Sequence, residues 1–508
     1  MKTVCYVLLL LLPFSCSHTK DEVQKPNVIL FLVDDLGWQD TSVPFHSTKT
    51  AFNETYQTPN MERLAREGMK FTQAYASCVC SPSRISIMTG MNAARHRVTN
   101  WTLKKDVRTD AIDSIVQPPD WNFNGLNVEE GINNTVVATT LPHLLRQDGY
   151  ATIHIGKAHF AAIGTPCANP VNCGFDINIA GHAAGAPGSY NGLTYFGNNA
   201  DGSPKGNWSV PGLEKYHGKD INLTEALTLE AKSIIDTVVN RDQPFYLYMS
   251  HYTVHSPIQA DHRFFQKYID QGLDTIEARY ASMVEGMDKS LGDLMDHLED
   301  KGISDKTIIL FMSDNGGLSA VARGGQKHTH NAPLASGKGS AYEGGVREPM
   351  IVKWPGSVKE NSVCDQYMII EDFFPTILEL AGIEEYETVQ QVDGKSFSNL
   401  LFQKESNDNS RPIYWHYPNI WGPDGAGIGA YSAVRKGDWK LIYFHKDTHF
   451  ELYNLENDIG ERNELSSKEN DKQKELSVLL ADYLRDVDAQ MPTNKITGKQ
   501  IPWPDQIN

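Results

Sequence analysis

The chain has 508 residues, beyond the size at which one hydrophobic core usually stops growing, so a large domain with a smaller one beside it is expected. With 40% hydrophobic residues and no long low-complexity tract, a sizeable core can be buried and a disordered chain is excluded. A formal charge of −17 excludes a nucleic-acid binder or a general polyanion sponge, because both need a broad basic surface. An anionic ligand must instead be met by a local cluster of cations in a cleft.

Residues 1–16 read as a signal segment: Lys2, an apolar run from Val4 to Leu12, and Cys16. The run is too short to span a bilayer as a mature helix. Asn27 to Val33, N-V-I-L-F-L-V, has the continuous apolar character of a strand buried on both faces of a parallel sheet. It stops at Asp34-Asp35, at the strand's carboxyl end, where open α/β sheets hold ligands. One Asp there is a helix cap, but two adjacent carboxylates repel unless a cation separates them, so a metal is expected. An amphipathic segment, Met61 to Phe71, follows with Leu64, Ala65 and Met69 on one side.

Ser77 to His96 contains Cys80-Ser81-Pro82-Ser83-Arg84, which reads as a loop entering a helix, since Pro is favoured at the first helical position. Cys80 then sits where free N–H groups and the helix dipole favour an anion. Arg84, one turn on, adds a planar cation suited to a tetrahedral oxyanion. A small buried cysteine at a helix start is the plain alternative.

Val107 to Asn134 is polar and without period, as in an insertion. Thr140 caps a helix bearing Leu141, Leu144 and Leu145 that Gly149 ends. Tyr150 to His159 is a strand ending in Lys157 and His159. A helix over Leu223 to Val239 and a strand over Phe245 to Met249 lead into S-H-Y-T-V-H-S-P, with His251 and His255. Glu277 to Leu298 is an amphipathic helix. T-I-I-L-F-M-S-D-N-G-G is a second buried strand, ending in Asp314-Asn315. Two such strands, far apart in sequence, are what one hard-cation site on neighbouring strands would look like.

Tyr367 to Ile383 reads as helical and Ser406 to Arg411 as a linker. Ala433 to Phe444 is a hairpin around Lys436-Gly437-Asp438, and a closing helix carries Leu476, Leu479, Leu480, Tyr483 and Leu484. Among seven cysteines, the spacing of Cys167 and Cys173 allows but does not require a disulfide in an oxidising compartment, Cys78 and Cys364 pack as small apolar residues, and no Cys/His spacing suggests zinc.

C-S-P-S-R followed by Thr89-Gly90 resembles the type I sulfatase signature, Cys-x-Pro-Ser-Arg, whose cysteine is oxidised to formylglycine (3-oxoalanine). Gly156-Lys157-Ala158-His159, His255 two residues before Pro257, and Gly337-Lys338-Gly339 ahead of Tyr342-Glu343-Gly344-Gly345 resemble the same family, so the likeness spans Asn27 to Pro355. It implies an α/β fold, an alkaline-phosphatase-like sandwich with a large mixed, mostly parallel sheet flanked by helices. A catalytic domain over 24–405 and a small antiparallel-sheet subdomain over 410–508 follow. It further implies one Ca²⁺ held by Asp34, Asp35, Asp314, Asn315 and the oxygen of the modified Cys80, all-oxygen ligation that suits Ca²⁺ better than Mg²⁺. Arg84, Lys157, His159, His255 and Lys338 are implied to surround the sulfate. The hydrated aldehyde would attack sulfur, His255 with Lys338 would protonate the leaving oxygen, and His159 would deprotonate the second hydroxyl to expel sulfate.

The implied partners are a formylglycine-generating or anaerobic sulfatase-maturating enzyme and a sulfated polysaccharide or its oligosaccharides. Algal ulvan or carrageenan types are favoured, and host glycosaminoglycans are the alternative. Phosphate or phosphonate ester hydrolysis on the same scaffold, and a sugar-binding lipoprotein with a dead site, are competing readings. Ser15-Cys16 resembles a lipoprotein cleavage site and Lys20-Asp21-Glu22 the acidic export tag of bacterial surface lipoproteins, although Pro13 departs from that pattern. Cys16 would anchor the protein at the outer membrane or cell surface; cleavage nearby without lipid would leave it periplasmic or secreted. No other membrane contact and no nucleic acid are expected. His416, Tyr417 and Trp421 either line a sugar subsite or cover the join between domains.

Overall fold

The two apolar runs that end in paired oxygen ligands lie side by side at the centre of the main sheet. The computed structural model describes residues 25–403 and 410–507. The signal segment, with Cys16 and Lys20 to Glu22, and most of the expected linker fall outside the described residues. Nine strands form the sheet: β1 (Asn27–Val33), β2 (Met69–Tyr75), β3 (Ala151–Gly156), β4 (Ile177–Ile179), β5 (Phe245–Ser250), β6 (Thr307–Ser313), β7 (Arg347–Lys353), β8 (Ser362–Cys364) and β9 (Met368–Ile369). Their order is β8-β2-β7-β6-β1-β5-β3-β4, and β9 also pairs with β2.

β1 runs parallel to both β5 and β6, whereas β7 is antiparallel to β2 and β6, so the sheet is mixed and mostly parallel. Alternation along β1 sends Val28, Leu30 and Leu32 into one core and Ile29, Phe31 and Val33 into another. Helices Cys80–Thr89, Leu141–Gln147 and Phe373–Leu380 cover the first face; Pro59–Arg66, Leu223–Val239 and Thr275–Asp300 cover the second. Register pairs Val33 with Ser313 and Gly156 with Ser250, so Asp34, Asp314 and Lys157 all leave the sheet at its carboxyl edge.

Four antiparallel strands, β10 (Ile413–Tyr417), β11 (Tyr431–Lys436), β12 (Trp439–Phe444) and β13 (His449–Asn454), form the C-terminal sheet. One face packs on Tyr75, Cys78 and Val79 beside the Cys80 helix, and the other takes Leu476, Leu480 and Leu484 of helix Asn470–Asp486. Among the described residues no helix is long and apolar enough to cross a membrane.

Several elements depart from the periodic reading. Met61 to Phe71 divides into a helix that stops at Arg66 and the strand β2, because Met69 and Phe71 pair with Val352 and Met350. Tyr367 to Ile383 is α-helical only over Phe373–Leu380, entered through a 3-10 turn at Ile370–Asp372; Met368 and Ile369 pair with β2, and Asp372 accepts from the Ile369 amide at 3.0 Å, turning the chain. The apparently periodless Val107 to Asn134 holds two short strands, one of which, Val116–Gln117, pairs with Thr493–Asn494. The long helix gains its first turn from Asp274, which accepts from the amides of Ile276 and Glu277. Cys167 and Cys173 are joined in a disulfide, and Cys78 and Cys364 are buried and free. His251 is a buried structural residue, its Nε2 2.9 Å from Ser290 Oγ.

The C-terminal sheet is tied to the main body by charge as well as packing. Lys440 Nζ lies 2.9 Å from carboxylates of both Glu343 and Glu461, all three without exposed side-chain surface. Lys440→Met would leave two carboxylates buried without their shared cation, at a cost of about 3–5 kcal/mol. The expected outcome is a clearly lowered denaturant midpoint; an unchanged midpoint would show that the pair contributes nothing to this interface.

Candidate active site

Cys80 is the first residue of its helix, with Val79 as N-cap, so Pro82 lies within the first turn rather than at its start. Every residue of Cys80–Thr89 is buried, and Gly90, at φ +70°, closes the helix in the left-handed conformation that glycine adopts without strain. Its amino end points at the carboxyl edge of β1 and β6. Asp35 and His159 both have positive φ, 60° and 56°, an uncommon backbone state for non-glycine residues that is held here by the surrounding site.

Three carboxylates face three cations. Lys157 Nζ is 2.6 Å from Asp34 Oδ2, Lys338 Nζ is ion-paired with Asp35 Oδ1, and Arg84 lies 2.7 Å from Asp314 Oδ2. All six side chains are at most 5% exposed. Cys80 Sγ sits among them, 3.6 Å from Asp34 Oδ1 and 3.3 Å from Lys338 Nζ. Burial pushes the Cys80 thiol up to about 12 against the pull of Lys157 and Lys338, so the unmodified side chain is a neutral thiol at pH 7. Burial also raises Asp34, helped by Asp314 and Asp35, whereas Lys338 and His255 hold Asp35 low despite its burial.

The site has the donors of a hard-cation centre. Ligand atoms of Asp34, Asp35, Cys80 and Asp314 all lie within 4.8 Å of one another. Asp35 Oδ2 and Asn315 Oδ1 are buried without a hydrogen-bond partner, an arrangement that costs free energy unless something occupies the gap. Asn315 is fixed by donating from Nδ2 to Asp35 Oδ1 at 2.8 Å. Carboxylate and amide oxygens at this spacing fit Ca²⁺ or a similar divalent ion.

Two histidines complete the site. The His159 Nε2–H donates to the Thr102 carbonyl at 2.8 Å, which leaves Nδ1, buried and without a hydrogen-bond partner, as an acceptor. The His255 Nδ1–H donates to the Ser256 carbonyl at 2.7 Å and leaves Nε2 facing Asp35 Oδ2 at 3.7 Å. Burial pushes His255 down to about 3 against the pull of Asp35, and burial with Lys157 holds His159 well below the ordinary imidazole range.

All ten residues expected at the centre converge there, but their placement divides them. Cys80, His159, His255 and Lys338 line a pocket of about 230 Å³ together with Trp101, Trp208 and Trp421. Arg84 and Lys157, expected around the sulfate, lie behind that surface. Arg84 is committed to Asp314, to the Lys157 carbonyl at 2.9 Å and to Ser250 Oγ at 2.6 Å. His416 and Tyr417 do not reach the pocket: His416 is buried between Ser432 Oγ and the Gln490 carbonyl, and the Tyr417 hydroxyl donates to Asn100. Trp101 and Trp208 escaped the sequence reading because they stand in polar loops without periodicity. Their size amid such polar neighbours was the available signal.

A sulfatase family profile matches residues 26–383, and a profile described as N-sulphoglucosamine sulphohydrolase, C-terminal, matches residues 337–490. A protein named "Sulfatase" from Formosa agariphila is 31% identical over 94% of this chain and 91% of its own length. Mouse N-acetylgalactosamine-6-sulfatase is 30% identical over 78% of this chain and 69% of its own. The crystal structure of Ps i-CgsB in complex with k-i-k-neocarrahexaose superposes with a TM-score of 0.70 at 27% identity, covering 91% of this chain and 93% of that one. With the profile covering most of the chain and the signature cysteine at the head of a buried helix over the sheet's carboxyl edge, the chain belongs to the sulfatase family and is a sulfuric ester hydrolase of alkaline-phosphatase-like fold.

Proposed function

We propose that this sulfatase removes a sulfate ester from a sulfated galactan of carrageenan type, or from its oligosaccharides, with residue 80 acting as formylglycine beside one Ca²⁺. The observation that carries the reading is the pocket over Cys80: cationic and imidazole groups on its floor, tryptophans on its wall. Aromatic faces suit the apolar face of a sugar ring. The likeness to a structure holding a neocarrahexaose supports the carrageenan choice, and the likeness to N-acetylgalactosamine-6-sulfatase makes glycosaminoglycans the competing substrate class. Both candidate metal groupings share Asp35 and Cys80, so one centre is present among the described residues, which favours sulfate over two-metal phosphate chemistry.

Asp34, Asp35, Asp314 and Asn315 would hold the cation. When bound, the cation and the hydrated aldehyde together supply an oxygen nucleophile of lowered pKa at position 80. Lys338, ion-paired with Asp35 here, would be free to meet a sulfate oxygen once Asp35 is a cation ligand. Lys157 and Arg84 act from behind, fixing Asp34 and Asp314. His255, anchored through Nδ1, presents Nε2 to the pocket; an entering sulfate anion favours its protonated form, and that proton goes to the sugar oxygen as it leaves. His159, anchored through Nε2, presents Nδ1 as the base that accepts the second proton. We also read the protein as exported, at the cell surface through Cys16 or otherwise periplasmic or secreted; the Cys167–Cys173 bridge supports an oxidising compartment.

A panel of carrageenan, ulvan and glycosaminoglycan oligosaccharides, with the desulfated position read by NMR, tests the substrate class; release only from glycosaminoglycans would overturn the galactan choice. His255→Ala is expected to lower kcat on sugar sulfates by about 10²–10⁴-fold while 4-nitrophenyl sulfate, whose leaving group needs no proton, loses much less. Equal losses on both substrates would remove His255 from the acid role. Saturating Ca²⁺, at about 100 times its Kd, should stabilise the chelator-treated protein by about 2.7 kcal/mol, read as a rise in Tm. Asp35→Asn should abolish most of that rise, and a wild-type protein indifferent to Ca²⁺ would contradict the metal assignment.

A further inference from the structure

Trp421 stands between two cavities. One side forms the wall of the Cys80 pocket; the other lines a separate groove of about 230 Å³, built mainly from the C-terminal sheet and its loops, which nothing in the chemistry above uses. The loop that carries the ring is tied down, and the indole lies close against Gly339. Asn419 Nδ2 donates to Asp110 Oδ1 at 2.8 Å, the Ala111 amide donates to the Ile420 carbonyl at 3.0 Å, and a Cβ on Gly339 would collide with the indole.

The far groove has an aromatic floor and a carboxylate-rich edge. The His449 ring stacks on Phe444 with centroids 4.8 Å apart and planes 13° from parallel. Asp113, Asp424 and Asp447 line the groove with only Lys446 and His449 as opposing groups. Both are already engaged: Lys446 Nζ with Asp113 at 2.8 Å and His449 Nδ1 with Asp447 at 2.6 Å. A sulfate or uronate entering here would meet excess carboxylate and no uncommitted cation. A neutral pyranose would find a stacking face and acceptors for its hydroxyls.

We propose that this groove is a second sugar subsite that takes the neutral, unsulfated unit bonded to the sulfated one, with Trp421 as the wall both units share. This rests on the galactan-sulfatase reading of the first pocket. It makes the preferred substrate an oligosaccharide in which the sulfated sugar has an uncharged neighbour.

The test is calorimetric binding to the Ca²⁺-loaded full chain carrying Cys80→Ala, which blocks turnover. The ligands are neocarrahexaoses of κ type, with unsulfated anhydrogalactose units, and of ι type, in which those units are sulfated. The κ type is expected to bind at least about tenfold more tightly, a difference set by placing a charge against carboxylates. Asp424→Lys should shrink that preference to less than about threefold, and His449→Ala should weaken κ binding several-fold. Equal binding, no binding of either hexaose, or a preference untouched by Asp424→Lys overturns the subsite. Sulfate release by the unsubstituted enzyme is measured separately: tight, groove-dependent κ binding without release would leave the subsite standing and refute the galactan-sulfatase reading.

Discussion

Three carboxylates buried at the ends of two neighbouring strands set the terms for everything around them. Asp34, Asp35 and Asp314 have no exposed side-chain surface, and like charges so close in a dry interior repel strongly. The fold answers with Lys157, Lys338 and Arg84, each brought from a different part of the chain. The balance is near neutral, yet two oxygens, Asp35 Oδ2 and Asn315 Oδ1, still lack partners. A divalent ion placed there would satisfy them and shift the whole cluster positive, which would give an otherwise acidic protein a place for an anionic ester.

The parallel register does the positioning. Because β1, β5, β6 and β3 end together, Asp34, Asp314 and Lys157 arrive at one edge, and the Lys157 side chain reaches past β5 to Asp34. The Cys80 helix is buried along its whole length, so its first residue is fixed against that edge. Arg84, one turn along, serves as a brace for Asp314 more than as a wall of the pocket.

Much of this was legible in the sequence. Apolar runs ending in Asp-Asp and Asp-Asn announced central strands with oxygen donors gathered at their ends, and the C-S-P-S-R string carried the family resemblance. Leu223 to Val239 is a helix with those bounds because Asn222 caps it and its apolar spacing is regular. What failed to read did so for tertiary reasons. Met69 and Phe71 fit a helical face but are claimed by pairing with β7, and the ion pair of Arg84 with Asp314 joins residues 230 apart in sequence, which no local pattern encodes. The tryptophans sit in irregular loops whose convergence no local pattern encodes. His416 and Trp421, five residues apart, looked equivalent; the strand alternation turns His416 inward to Ser432, while Trp421 lies beyond the strand's end in the loop that reaches the pocket.

The central claim is that residue 80 works as an aldehyde and not as a thiol. The direct measurement is mass spectrometry of the peptide containing residue 80, on protein made with graded amounts of a maturating enzyme, alongside sulfate release by the same samples. The account predicts turnover proportional to the fraction converted to formylglycine and none from the unconverted thiol. Full turnover from protein whose Cys80 is entirely unmodified would contradict it.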